Sequence, residues 1–197
     1  MTWDAFVALS LLAMVASFTP GPNNALVAAS AVNFGIRKTI PHIFGISIGF
    51  SLMIFLVGLV LGALFEQSVL LRETLRWIGI VLLIYVAYKI ATSGGLGSSN
   101  SEPRPFTFLE AAGFQWINPK GWSMSVAVTA QFASGSQPVF AALVVSFVFG
   151  VLALASTLSW GLLGQGIRRF LTDDVRLKWF NWTMAILILA CIFLVLD

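Results

Sequence analysis

Two short stretches set prolines, glycines and polar side chains inside otherwise apolar sequence: Thr19-Pro20-Gly21-Pro22-Asn23-Asn24 and Asn118-Pro119-Lys120-Gly121. Proline lacks a backbone donor and clashes with the preceding helical turn, so each stretch predicts a broken helix. Thr19-Pro20 and Asn118-Pro119 each place a good N-cap residue before a proline, the order that opens a helix. Each break therefore reads as the start of a second half-helix. Gly21 and Gly121 leave room for close backbone approach. Half-helix N-termini present free N–H groups and a positive dipole end, which suit a carboxylate. Asn23, Asn24 and Asn118 can hydrogen-bond a polar neutral group or an amine. The chemistry on offer is recognition of a small polar molecule.

Lys120 is the one charge that falls in the middle of an apolar run. Such a charge costs about 2.5–3.5 kcal/mol on insertion scales, which marks it as functional. As an ammonium it would pair with a substrate carboxylate, or take part in proton coupling. The competing reading is a lysine that snorkels to the interface. Other polar residues carry less. His42, the only histidine, follows Pro41 near a span end and reads as structural. Glu110 lies about one turn into its run, read as solvated or as a minor proton relay; Asp4 and Glu66 read as interfacial. Gly45/Gly49 and Gly58/Gly62 form two GxxxG pairs, whose default meaning is close helix packing.

The elements that must position these residues are membrane helices. The chain is 58% hydrophobic and only 10% charged, with a mean hydropathy of +0.94. A soluble domain of this length carries about 25% charge. Apolar runs long enough to cross a bilayer recur throughout, and six spans are expected, near 3–34, 39–65, 74–92, 106–134, 138–166 and 178–196. One re-entrant run would reduce them to five. The fold class is all-α and polytopic. Met1-Thr2-Trp3-Asp4 has no basic n-region, so the first run is expected to be a span and not a leader. As one straight helix, residues 3–34 would measure roughly 48 Å against a core of about 30 Å. The breaks in spans 1 and 4 are expected near the midplane, where non-helical backbone survives only against protein or a water-filled cavity.

The chain reads as a single transmembrane domain in two halves, residues 1–93 and 106–197, joined by a loop over 94–105. Ser93-Gly94-Gly95-Leu96-Gly97-Ser98-Ser99-Asn100-Ser101 has the composition of a flexible link. Pro20 and Pro119 are 99 residues apart, and the tryptophans of Leu75-Arg76-Trp77 and Leu177-Lys178-Trp179 are 102 apart. A single proline kink would most simply shape helix packing; two matched breaks favour a site. Three spans per half implies an inverted repeat, a frequent plan in secondary transporters. Arg37, Lys38, Lys89, Arg104, Arg168, Arg169, Arg176 and Lys178 fall in or beside the odd-numbered loops, and only Arg72 and Arg76 on the other side. The positive-inside bias puts those loops in the cytoplasm and both termini outside.

With "TPGPNN" in its first span and "NPK" in its fourth, the chain resembles the LysE/RhtB family of bacterial amino-acid exporters. The similarity covers essentially the whole length, and Thr19, Pro20, Gly21, Pro22, Asn23, Asn118, Pro119 and Lys120 occupy the motif positions. The resemblance implies export of amino acids or derivatives from the cytoplasm, driven by the proton gradient. It also implies a bacterial inner-membrane location and allows a homodimer. The residues expected to bind substrate are Thr19, Pro20, Gly21, Pro22, Asn23, Asn24, Asn118, Pro119, Lys120 and Gly121. No cofactor, no metal and no nucleic-acid partner is expected; the partners are the amino acid, protons and lipid.

A dibasic substrate needs a buried acid, because an unpaired charge in low dielectric is expensive. Asp4, Glu66, Glu73, Glu102, Glu110, Asp173, Asp174 and Asp197 all fall in loops or near a face. The expected substrate is therefore small and neutral, of the homoserine, threonine or cysteine kind. Alternatives are a metal-ion exporter of related fold and a non-transporting assembly subunit. One histidine, one cysteine (Cys191) and no pair of mid-membrane acids argue against an intramembrane enzyme. The lack of a nucleotide motif argues against a primary pump.

Overall fold

The computed structural model describes residues 1–61, 67–92, 104–133, 137–171 and 173–196, and among these every regular element is helical. The helices are α1 (Trp3–Phe18), α2 (Pro22–Phe34), α3 (Ile36–Leu56), α4 (Val69–Ala91), α5 (Phe108–Gln115), α6 (Pro119–Phe132), α7 (Pro138–Arg168) and α8 (Asp174–Leu196). A π-helical turn, Val57–Leu61, continues α3. The link at 93–101 and the residues Gly62, Glu66, Glu102 and Asp197 lie outside the described residues.

Both expected breaks are present. α1 and α2 meet at a 51° bend across Thr19–Gly21, and α5 and α6 are separated by Trp116–Asn118. Their local chemistry differs from the expectation at the first break. Thr19 does not open the second half-helix but closes the first: its N–H and its Oγ1 both donate to Val15 O, at 3.0 and 2.6 Å. The half-helix starts instead at Pro22, with Gly21 as N-cap. The reason is the paired prolines. Pro22 holds the residue before it extended, and Gly21 is extended at φ −169°. At the second break Asn118 is the N-cap and Pro119 the first helical residue, as expected.

By length and composition α3 with its π-helical extension, α7 and α8 can each cross a membrane, and α1 with α2 counts as a fourth crossing if the bent pair is one span. The remaining two expected spans are less clear-cut. α4 has 23 residues but includes Glu73, Arg76 and Lys89, while the break divides the other into segments of 8 and 14 residues.

The core is built around α2, which is buried along nearly its whole length. One side of it packs on α7, where Gly164 and Gly161 let the helices approach: a methyl at Gly164 would lie 3.1 Å from Ala28 Cα, and one at Gly161 3.4 Å from Val27 Cγ1. The other side meets α4 and α8 through Leu83, Val86, Ala87, Met184, Ala185 and Ile188. α3 packs on α7 and on α5. Gly45 and Gly49 face α5: a methyl at Gly49 would fall 2.6 Å from Ala112 Cα, and one at Gly45 would collide with Phe108 O. The first GxxxG pair is thus a packing face, as read from the sequence. Gly58 likewise abuts Thr129 and Ala142. The outward faces carry Val81, Ile84, Leu143, Phe147, Leu162 and Ile186, all exposed, as a bilayer-facing surface should.

The chain turns from α2 into α3 at Gly35, whose φ of +85° is a conformation that favours glycine. Gln165 Oε1 accepts from Ile36 N there at 2.9 Å, and Arg168 Nη1 lies close enough that a methyl on Gly35 would collide with it. Asn33 donates to Asn181 at 3.1 Å, and Phe106 lies over the His42 ring at 5.2 Å. The α2–α3 turn, the start of α5, the end of α7 and the start of α8 therefore share one end of the bundle. His42 is buried, only 2% exposed, with the Phe106 ring against it, in keeping with a structural residue.

Candidate functional site

The two breaks come together at one cavity of about 60 Å³, enough for a few waters or a small solute. Its polar wall consists of Ser17, Asn23, Asn24, Gln115, Asn118, Thr157 and Lys120; Gly21, Pro22 and Gly121 complete the breaks. Ala16, Ile46, Phe50, Met124, Phe149 and Ala153 form the apolar wall. Seven of the ten residues singled out from the sequence line this space. Thr19 and Pro20 do not: both are exposed, Thr19 as the cap of α1. Pro119 faces away from the cavity and packs against Gly79 of α4.

Each element supplies its part for a local reason. Asn24 does not face the cavity freely; its Nδ2 donates to Ser17 O at 2.9 Å and Thr19 O at 3.1 Å. Those carbonyls belong to the end of α1 and have lost their helical partners at the break. Ser156 of α7 adds a third donor, to Ser17 O at 2.7 Å. The break is thereby satisfied by protein, as non-helical backbone in a membrane must be.

Asn23 reaches the other break. Its Nδ2 donates to Gln115 Oε1 at 2.8 Å, and Gln115 Nε2 donates back to Asn23 Oδ1 at 3.2 Å. Gln115 is fully buried and also donates to Ala111 O at 2.9 Å. The reciprocal amide pair ties the first turn of α2 to the last turn of α5. Gln115 was not among the residues singled out from the sequence. The available signal was its place in the same polar interruption, three residues before Asn118.

Lys120 lies half-buried at the second position of α6. Its side chain runs to the other break, where a methyl on Gly21 would be 3.0 Å from Nζ and 3.5 Å from Cδ. A cation at a helix N-terminus meets like charge, so this is the unfavourable end for it. Among the described residues Lys120 has no acidic partner: the ion pairs are Arg76–Glu73, Arg104–Glu110 and Arg176–Asp173. Glu110 is fully engaged at the end of the bundle. It caps α5 by accepting from Thr107 N at 2.8 Å, and it receives two bonds from Arg104, at 2.6 and 2.7 Å. Glu110, its side chain 44% exposed, is solvated, the first of the two readings its place in the sequence allowed. None of Asp4, Glu73, Glu110, Asp173 and Asp174 lines the cavity.

Ser17 and Asn118 both line the cavity, and their side-chain oxygens, Ser17 Oγ and Asn118 Oδ1, are buried with no hydrogen-bond partner among the described residues. The site therefore combines an ammonium with no acidic partner among the described residues and the N-termini of two half-helices, an arrangement whose chemistry suits a small anion.

A model of the LysE type translocator family matches residues 14–196 of the chain. The cysteine/O-acetylserine efflux protein of Salmonella typhimurium (strain LT2) is 27% identical over 182 residues, covering 90% of each chain. Its counterpart from Klebsiella pneumoniae subsp. pneumoniae is 27% identical over 195 residues, 97% of this chain and 96% of that one. The protein of that name from Escherichia coli O9:H4 is 26% identical over 182 residues, with 90% of both covered. No solved structure matches.

Proposed function

We infer, from the premise that this chain belongs to the LysE type translocator family, that it exports a small neutral amino acid or close derivative from the cytoplasm in exchange for protons. A translocator moves its substrate unchanged, so the chain is a transporter and not an enzyme. The observation that carries the substrate reading is Lys120. A half-buried ammonium at the positive end of α6, set against Gly21 at the entry to α2, has no acid to pair with among the described residues. It calls for an anion, and the carboxylate of an amino acid supplies one. Neutrality of the side chain follows from the wall, which places no carboxylate opposite a second substrate charge. Cysteine and O-acetylserine, named for the relatives, are of that small neutral kind.

The architecture belongs to the same reading: six crossings in two inverted three-span repeats, in the bacterial inner membrane, with both termini outside. Matched pairing supports it. α3 packs on α7 and α4 on α8, so the elements in corresponding positions of the two halves pair with each other. A two-fold axis in the membrane plane that runs between the halves accommodates such pairing. Arg37, Lys38, Arg104, Arg168, Arg169 and Arg176 cluster toward the end shared by the α2–α3 turn and the termini of α5, α7 and α8, which favours that end as cytoplasmic.

Efflux from proteoliposomes preloaded with labelled O-acetylserine, cysteine, lysine or arginine tests the reading. The neutral solutes should leave faster than from empty liposomes, and an imposed pH gradient should accelerate them. Preferential flux of lysine or arginine, or no flux of any, would overturn it.

A further inference from the structure

We propose that His42 is the residue through which pH acts on a gate at the cytoplasmic end of the bundle: the gate closes over the neutral imidazole, and a proton on the ring holds it open. The proposal rests on the export reading above, which supplies the orientation and the direction of flow, and adds to it the titrating group.

His42, Ile46 and Phe50 follow one another at four-residue spacing along α3 and so share one face. Ile46 and Phe50 line the cavity. His42 stands one turn beyond Ile46, about 6 Å further toward the α2–α3 turn. The space between the cavity and that end is filled. Val27, Ile43, Ile46 and Ala111, each fully or almost fully buried, pack with Ile36 and Phe106 into one apolar cluster. Phe106 also lies against the His42 ring, at 5.2 Å. The cluster thus runs from the cavity wall to the bundle end and closes the way between them. The bonds from Ile36 N to Gln165 and from Asn33 to Asn181 fasten the same end. Pro41, inside α3, cannot donate to Arg37 O, which leaves the start of this helix weakly tied to the rest.

Packing accounts for the burial of the ring but not for its nitrogen. His42 Nδ1 is buried with no hydrogen-bond partner among the described residues. A neutral imidazole tolerates that at a modest cost; an imidazolium, with a charge and two N–H donors to satisfy, tolerates it far less. The closed end offers such a charge no free counter-ion. α3 packs on α2, α5, α6 and α7. α2 has no charged residue, α7 has only Arg168 and α6 only Lys120, both positive. α3 itself adds Arg37 and Lys38. Glu110 of α5 is the one acid on these helices, and it already accepts from Thr107 N and twice from Arg104. A protonated ring therefore favours parting α5 from α3, which admits water to it. Imidazole ordinarily titrates near pH ~6.5, so modest changes in cytoplasmic pH reach it. An alkaline cytoplasm lets the gate close behind the substrate.

Val27→Cys in a Cys191→Ser background places a single thiol inside the apolar cluster. Its labelling rate by a maleimide, in membrane sheets open on both sides, reports opening of the gate and needs no transport. Division by the rate of an exposed thiol, Arg169→Cys in the same background, corrects for thiol ionisation. With His42 present the ratio should rise roughly tenfold from about pH 7.5 to about pH 5.5, as protonation of the opened ring draws the gate open. His42→Gln, which keeps a polar side chain but does not titrate, should give a level ratio. His42→Leu covers the case in which the glutamine variant fails to insert, and should also be level. A level ratio with His42 present, or one that still rises in an inserted variant, would overturn the gate and leave the export reading standing. A rise that both variants abolish, in a protein that carries no amino acid in proteoliposomes, would support the gate and overturn the export reading.

Discussion

Gly21 is extended, with φ −169° and ψ 177°, a conformation that any residue adopts, so its lack of a side chain matters for another reason. A methyl there would sit 3.0 Å from Lys120 Nζ, at the tip of a flexible chain that can swing aside. Gly21→Ala should therefore fold and insert normally but move the ammonium out of place. Export should fall by about tenfold, in line with a weakened charged hydrogen bond. An unchanged export rate in an inserted variant would show that Lys120 does not need its position against Gly21. Lys120→Ala should lose export more completely, with melting temperature within a few degrees of wild type. Lys120→Arg should restore it only in part, because a planar fork differs from a compact ammonium. Transport assays paired with detergent-solubilised melting curves separate these outcomes from misfolding.

At the scale of elements, the two half-helix junctions are joined by one reciprocal amide pair. Gln115→Ala leaves Asn23 without either of its bonds across the cavity wall. A loss of about 1–3 kcal/mol in stability is expected, read as a lower melting temperature. Gln115→Asn, one methylene shorter, should restore little of it, since the pair closes at 2.8 and 3.2 Å with the longer chain. The α3–α5 contact is the other sensitive junction. A methyl at Gly49 would fall 2.6 Å from Ala112 Cα, which is backbone and has nowhere to go. Gly49→Val should force the helices apart and cost about 1–3 kcal/mol or more, seen as loss of folded protein in the membrane. Gly113, one residue beyond Ala112, has nothing within 4 Å of such a methyl, so Gly113→Ala should be neutral or slightly stabilising.

For the whole molecule, the testable property is which end faces which compartment. Cys191 is the only cysteine, so a Cys191→Ser background carries no other thiol. Single cysteines at Lys38 and Arg169 should be shielded from an impermeant thiol reagent in intact cells, and one at Asp4 should be labelled. Labelling at Lys38 with protection at Asp4 would reverse the orientation. The substrate preference also belongs to this scale, because it depends on every wall of the cavity together. Phe149, fully buried, and Phe50 meet edge-to-face at 6.0 Å on the apolar wall. On the export reading proposed above, that wall suits short aliphatic or thiol side chains better than long charged ones.

Membrane residence, helical class and the two breaks were legible in the sequence because each depends on local composition: apolar runs must be helical in lipid, and proline interrupts a helix wherever it stands. Span ends at residues 3, 34 and 138 were legible for the same reason. The packing role of Gly45 and Gly49 was also local, since small residues at that spacing leave a groove whatever fills it. The cap at the first break was not. Thr19 satisfies the generic N-cap rule, but the paired prolines on either side of Gly21 hand that role to Gly21, and the threonine turns back to Val15. Tertiary structure alone decided which polar residues are used up and which remain available. Asn23, Asn24 and Asn118 look alike in sequence, yet two are consumed, by Gln115 and by the frayed carbonyls of α1. Asn118 Oδ1 is left buried with no partner among the described residues. The partners that make this difference lie up to 92 residues away in the chain, and hydrogen-bond satisfaction is a property of the folded neighbourhood that no local pattern encodes.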